Sequence, residues 1–356
     1  MQFDLTDDQK QLCDSIERAL TGMVDLASVA RDSGVIVELE EKVDALLVEL
    51  GLPMAMLSEE YDGLDMGLLT VAAASHVLGR HAAPGHAIDN SLAAWAIAEF
   101  GTEAQRDTWL PGLLSGEISA TFALREDRWE PNCWQAEAGQ HRIEKRNVRL
   151  LRNGGLAVIG TRDGLAIAKV GADAFRPDET PLDLSRPLAT LSLGGGALEP
   201  LADRDGAQRL YDALLVVAAI DAAGAGQQTL AMAVDYAKTR KQFDRLIGSF
   251  QALQHQLAEM AVDIGPAHFP CWYAAHAWDR GAHDAHRMAL LTKAHATDMA
   301  VKTARKAVEC HGGIAYTWEY PLHFLLKRSM QDRLTLSLPS ELRSQVAALD
   351  DLQAAV

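Results

Sequence analysis

Apolar residues recur at three- and four-residue intervals over the first hundred positions, and that spacing predicts a run of amphipathic helices. Thr6, followed three residues later by Gln9, is a capping-box signature that opens the first helix. Val37 to Leu50 is a second amphipathic stretch, closed by Gly51 and Pro53. Leu68 to Leu78 and Ala87 to Phe100 continue the run, with Gly101 as a stop. No repeat or low-complexity segment interrupts it.

Beyond about residue 120 the pattern shortens. Ile143 to Leu151, Ala157 to Thr161 and Leu165 to Val170 are brief runs punctuated by Asn153-Gly154 and Asp163-Gly164. Turn dipeptides between short alternating runs predict hairpins and a small β domain. Pro177, Pro181, Pro187 and the Gly194–Gly196 run fit its loops. The helical pattern then returns. Residues 209–243 contain no proline, and Ala218 to Gly226 offers a small-residue face to an approaching helix. Ser249 is read as the cap of a helix with Phe250, Leu253, Leu257 and Met260 on one side, broken at Gly265-Pro266. A further helix is expected from about Asp284 to Cys310, ending at Gly312-Gly313. The expectation is a mainly α chain with a small central β domain: helical over 1–119, β over 120–203, and a helical bundle over 204–356.

Composition narrows the function more than the fold. The 356 residues are 48% hydrophobic and 23% charged, with a net charge of −16. That acidity argues against nucleic acid as a partner, because phosphate binding needs a basic footprint. The amino terminus has neither a basic start nor an apolar run, so no signal peptide is expected. No stretch approaches the roughly 20 apolar residues of a membrane span, and no membrane partner is expected. Cys13, Cys133, Cys271 and Cys310 form no metal-ligand spacing and read as reduced structural thiols in a cytoplasmic setting. His255, His311 and the His268–Pro270 segment match no ligand set, so no metal is expected.

Three long strings carry a family resemblance. YAKTRKQFDRLIGSFQALQHQLAEMAVD (Tyr236 to Asp263) and ECHGGIAYTWEYPLH (Glu309 to His323) resemble signatures of the acyl-CoA dehydrogenases. GTEAQRDTWLPGLLSGEISATFAL (Gly101 to Leu124) is similar to that family's passage from helical into β domain. The resemblance spans nearly the whole chain. It implies a helical domain, a β domain and a four-helix bundle in an oligomer. The implied chemistry is α,β-desaturation of a CoA thioester: a carboxylate takes the α-proton and a hydride leaves to FAD.

The same resemblance assigns residues. Arg240, Gln242 and Phe243 lie in the RKQF string, which in the family reaches the FAD pyrophosphate of a neighbouring subunit; a guanidinium suits phosphate oxygens. Gly312 and Gly313 match the family's glycine pair, and Gln251 a glutamine near the adenine end of FAD. Glu309 stands where the family usually has glutamine; an ionised carboxylate cannot donate, which leaves a ribose hydroxyl as its contact.

The base is where the chain departs. Its usual place falls on Leu336, and its rarer place, on the helix before RKQF, falls on Leu214. An accompanying arginine is Leu215. The family's flavin-facing T-E-P turn is replaced by Ala123 to Asp127, and its W-I-T segment by Asn147-Val148-Arg149. The nearby acids Asp212, Asp221 and Glu341 are out of register and read as surface carboxylates. The expected function is that of a base-free subunit in an α2β2 complex with a base-bearing homologue. That partner binds most of the acyl-CoA, for which the resemblance implies a steroid side-chain thioester, and passes electrons to an electron-transfer flavoprotein or similar acceptor. Two alternatives stay open: a self-sufficient homo-oligomeric dehydrogenase with Asp212 or Glu341 as base, and a flavin-free structural or regulatory protein.

Overall fold

The computed structural model of the chain describes residues 4–31, 34–126 and 134–354. Six helices come first: α1 Asp7–Met23, α2 Leu26–Arg31, α3 Gly34–Glu49, α4 Gly67–His81, α5 Ala87–Phe100 and α6 Glu103–Ser115. Seven strands follow: β1 Ala120–Ala123, β2 Ile143–Arg149, β3 Gly155–Thr161, β4 Gly164–Val170, β5 Phe175–Pro177, β6 Leu188–Leu193 and β7 Glu199–Ala202. Then come α7 Arg204–Thr239, the short strands β8 Lys241–Gln242 and β9 Arg245–Leu246, α8 Gln251–Ile264, α9 His268–Asp279, α10 Ala285–His311, α11 Leu322–Leu334 and α12 Pro339–Ala354. The Thr6 hydroxyl accepts from Gln9 N while Gln9 accepts from Thr6 N, so the capping box at α1 forms.

Two compact units emerge, and they cut across the chain order. One comprises Met1–Leu39, Ala72–Ala83 and Leu215–Val356, the other Glu40–Val71 and Pro84–Leu214. The second unit holds two sheets. β1-β3-β4-β7 is one, with β1 and β3 parallel; β2-β6-β5 is the other and antiparallel. Val148, Ile159, Ala168, Phe175 and Leu191 from both sheets share one apolar core. β3 and β4 pair Thr161 with Gly164 across a two-residue turn, as the dipeptide pattern predicts. Asn153-Gly154 makes no hairpin, however: β2 pairs with β6 and β3 with β1 and β4, so that turn carries the chain from one sheet to the other.

In the first unit α10 packs against α8, α9, α11 and α12. The small-residue stretch of α7 is used within this unit, by α4. A Cβ at Gly224 would lie 2.1 Å from the His76 carbonyl oxygen, and one at Gly79 2.1 Å from that of Asp221. Helix backbones cross here at a distance only glycine permits. The helix that approaches this face is therefore the chain's own α4. The expectation that no stretch is long and apolar enough for a membrane is corrected: α7 meets that test by length and composition, but 78% of its apolar window is buried inside the protein, as in a core helix. Ser249 does not cap α8 either. Its hydroxyl donates to the Leu246 carbonyl within a short 3-10 turn, and Phe250 occupies the cap position. Cys133 and Asp127 lie outside the described residues.

Candidate cofactor site

The RKQF string ends α7 and turns back as a hairpin. Phe243 and Asp244 are its two loop residues, with φ of 53° and 60°, the left-handed pair that a tight hairpin requires. The turn thrusts Phe243 outward to 87% exposure, an unusual setting for a phenyl ring. It is fixed from below, where Phe250 meets Phe243 edge-on at 6.2 Å and Arg245 lies 4.3 Å over the Phe250 ring. Arg240 closes the last turn of α7 through its own N–H to the Tyr236 carbonyl, and its exposed side chain has no ion-pair partner among the described residues. The Gln242 amide folds back onto the Lys241 carbonyl at 2.7 Å.

Two other segments converge on this end of the unit. His311, on the last turn of α10, stacks on Tyr236 of α7 at 4.5 Å. Its Nδ1–H donates to the Ala307 carbonyl and its Nε2 accepts from the Tyr320 hydroxyl at 2.9 Å, while burial holds its pKa below the ordinary imidazole value. A neutral packing histidine is the result, not a ligand. Beneath lie Ala233, Met260, Ala307, Val308, Ala315 and Leu322. Gly312 then leaves α10 with φ 69° and ψ −148°, a conformation restricted to glycine, and nothing lies within 4 Å of where a Cβ would stand. Gly313 is equally open. Glu309 accepts from Gln256 of α8 at 3.2 Å, and Gln251 opens α8 with its side chain exposed. Thus the hairpin, the start of α8 and the end of α10 place the predicted residues on one end of one helical bundle. The set supplies a free guanidinium, open backbone and a flat exposed ring, which suits a dinucleotide's phosphate and sugar; the Glu309 carboxylate, when ionised, can only accept, so it suits a donor such as a ribose hydroxyl and not a phosphate.

The proton-acceptor positions are different. Leu214 is buried, and Leu336 sits between α11 and α12 with a left-handed φ of 67°. The neighbouring acids all have structural partners. Asp221 is buried and takes two parallel bonds from Arg328, both 2.8 Å. Asp212 is buried and accepts from Gln208 at 2.9 Å. Neither is a surface residue, which corrects the sequence expectation. Glu341 accepts from Leu338 N at 2.8 Å and so caps α12.

Two charged clusters in the second unit were not foreseen, and both involve the segments compared above with T-E-P and W-I-T. Glu126 accepts from Gln135 N and Ala136 N and from Lys145, whose ammonium is fully buried and also donates to the Gly160 carbonyl at 2.6 Å. Burial pulls the Lys145 pKa down, and Glu126 opposes that. Arg149 pairs with Asp89 at 2.6 Å and donates to the Gly85 carbonyl. Asp89 also faces His86, which contacts Glu40 at 3.2 Å. Burial and Arg149 disfavour a charged His86, but Asp89 and Glu40 prevail and raise its pKa to about 9. The one sequence signal for this cluster is Asp89-Asn90-Ser91, three polar residues in the stretch Ala87–Ala98, which is otherwise apolar and buried throughout.

Comparison with known proteins identifies the family. The family description "Acyl-CoA dehydrogenase, N-terminal domain" matches residues 6–117, and "Acyl-CoA dehydrogenase, C-terminal domain" matches residues 215–336. Acyl-CoA dehydrogenase IpdE2 of Mycolicibacterium smegmatis is 32% identical over 234 residues, 65% of this chain and 71% of that protein. The chain belongs to the acyl-CoA dehydrogenase family. Solved structures give the same fold: the Tcur3481–Tcur3483 steroid ACAD has a TM-score of 0.85 at 24% identity, over 98% of this chain and 99% of the other. The ChsE4–ChsE5 complex from Mycobacterium tuberculosis has a TM-score of 0.81 at 21% identity, over 98% of each chain.

Proposed function

We propose that this chain is a base-free subunit of a heteromeric, FAD-dependent acyl-CoA dehydrogenase. The observation that carries the reading is the contrast between two sets of positions. Neither base position bears a proton acceptor, and the nearby acids are tied into structural roles, whereas Arg240, Phe243 and Gly312 stand exposed and unobstructed. A base-bearing homologue supplies the glutamate, the flavin-ring pocket and the acyl pocket; this chain's Arg240, Gln242, Phe243, Gln251, Glu309, Gly312 and Gly313 close over the adenosine end of the FAD. When bound, FAD accepts the hydride; this chain's part is to hold phosphate and ribose and to exclude water there. The complex is an α2β2 heterotetramer with flavin in about half of its four sites. The substrate class is a steroid side-chain acyl-CoA, supported by the steroid ACAD among the structural neighbours. Electron-transfer flavoprotein or a similar carrier reoxidises the complex.

Two measurements test this. The chain purified alone is expected to turn over no acyl-CoA, since loss of a general base alone removes about 10²–10⁴-fold of rate. In the complex with a base-bearing homologue, Arg240→Ala is expected to weaken FAD retention on the order of 30-fold, the size of one charge-assisted phosphate contact. Robust turnover by the isolated chain overturns the base-free assignment. Undiminished flavin retention in the Arg240→Ala complex overturns the role of the hairpin.

A further inference from the structure

The family implies a flavin ring against each subunit's own β domain, so the two ring-facing segments invite a test of fit. Both present charges that are already bound to protein. Glu126 is held by Lys145 and by the backbone N–H groups of Gln135 and Ala136. Arg149 is drawn back onto Asp89 and the Gly85 carbonyl. Behind it the charges continue without a gap. His86 bridges Asp89 and Glu40, Arg152 approaches the other Glu40 oxygen at 3.9 Å, and Asp44 accepts from His86 N and Ala87 N at 2.7 and 2.8 Å.

These groups come from four places in the second unit: Glu40 and Asp44 on α3, His86 and Asp89 at the start of α5, Arg149 on β2, and Arg152 just beyond it. Buried charges are tolerated only when each has a counter-charge, and removing one leaves its partner stranded. A face built to receive an oxidised flavin needs uncommitted donors and apolar area. This face has neither Thr nor Trp where the family places them, and its charged groups are paired with one another, although the buried Arg149 Nε and His86 Nδ1 make no hydrogen bond.

We propose that this ionic network has replaced the cofactor in the second unit: the chain's own ring-facing surface is closed to flavin, and the network takes over the task of tying α3, α5 and β2 together. The inference does not depend on the heteromeric reading, because it concerns only flavin binding and folding of the single chain. It also makes stability depend on the charge of His86, which Glu40, Asp44, Asp89 and Arg149 face, with Arg152 behind Glu40. With a folded pKa of about 9 against about 6.5 when unfolded, the stabilisation is complete below pH 6.5 and disappears as pH rises through 9. Between pH 7 and pH 10 the folding equilibrium should fall on the order of 70-fold from this group alone.

The test uses the full chain expressed without a partner. Added FAD is expected to give no saturable quenching of its fluorescence and no rise in melting temperature. Denaturant titrations at pH 7 and pH 10 are expected to differ by tens of fold in the wild-type chain, with the difference largely absent in His86→Gln. If His86→Gln does not fold, hydrogen exchange of the wild-type chain at the two pH values, normalised to intrinsic rates, should show protection lost around 84–92 and kept elsewhere in the unit. Stoichiometric FAD uptake by the single chain overturns the proposal. So does a pH response shared equally by His86→Gln, or a loss of protection spread evenly over the unit. Failure of a base-bearing homologue to form an active complex would leave these outcomes unchanged and would count against the proposed function instead.

Discussion

Asp221→Asn separates a structural carboxylate from a catalytic one. Asp221 and Arg328 are 4% and 2% exposed, and the guanidinium meets both carboxylate oxygens at 2.8 Å while a third N–H reaches the Ala83 carbonyl at 3.1 Å. Asparagine keeps the volume but turns one acceptor into a donor pointing at a donor. The arginine is then buried with half its counter-charge geometry and no counter-charge. Stranding one partner of such a pair costs about 3–5 kcal/mol. A denaturant titration of the isolated chain reads this directly. The double variant Asp221→Leu, Arg328→Met is expected to recover most of the loss, because the desolvation cost disappears with the charges. In a complex with a base-bearing homologue, turnover per folded complex should be unchanged. A change below about 1 kcal/mol in the single variant would mean that water reaches the pair, and the structural assignment would fall. A large loss of turnover with folding intact would return a proton-transfer role to this helix.

Three further outcomes follow from the same geometry. Leu336→Glu restores a carboxylate at the usual base position, yet the isolated chain should remain inactive toward acyl-CoA thioesters, because the ring-facing surface still lacks a flavin; measurable turnover would refute that. Gly224→Ala should destabilise the chain by about 1–3 kcal/mol or more, since its Cβ would fall 2.1 Å from the His76 carbonyl oxygen; a thermal melt equal to wild type would show that the α4–α7 crossing is loose. Glu341→Gln should cost at most about 1 kcal/mol, as an amide oxygen still accepts from Leu338 N, and a loss well beyond that in turnover of the complex would reopen Glu341 as a base.

Element type was legible where periodicity and punctuation agreed. Ala87–Phe100 is bounded as the sequence predicts, and the Thr6–Gln9 box closes as its spacing requires. What failed were inferences about where an element goes. Asn153-Gly154 has the composition of a hairpin turn, but strand pairing is decided by the cores of two sheets, which no dipeptide reports. The Ala218–Gly226 face was correctly read as a close-approach surface, but nothing local says whether the approaching helix belongs to the same chain. The acids were misjudged for a related reason: Asp221 is buried because Arg328, more than a hundred positions away, is there to meet it. Polar residues within an apolar helix, as at Asp89, are the sequence's trace of such long-range pairs.

The features kept at the adenosine end also bear on the flavin-free alternative. A phenyl ring at 87% exposure forgoes roughly 2 kcal/mol of burial, and a left-handed pair at Phe243-Asp244 adds backbone strain to hold it outward. Gly312 accepts a conformation closed to other residues although no neighbour crowds it. A chain serving only as a scaffold would gain stability by turning that ring inward and relaxing that backbone. In the second unit the opposite has happened: Arg149 has found Asp89, His86 has found Glu40, and Lys145 has found Glu126. Stability has been recovered where the flavin ring would lie and left unclaimed where a neighbour's phosphate would be met. That asymmetry is what a half-site requires, and it favours a subunit completed by a partner over a protein that has given up the cofactor altogether.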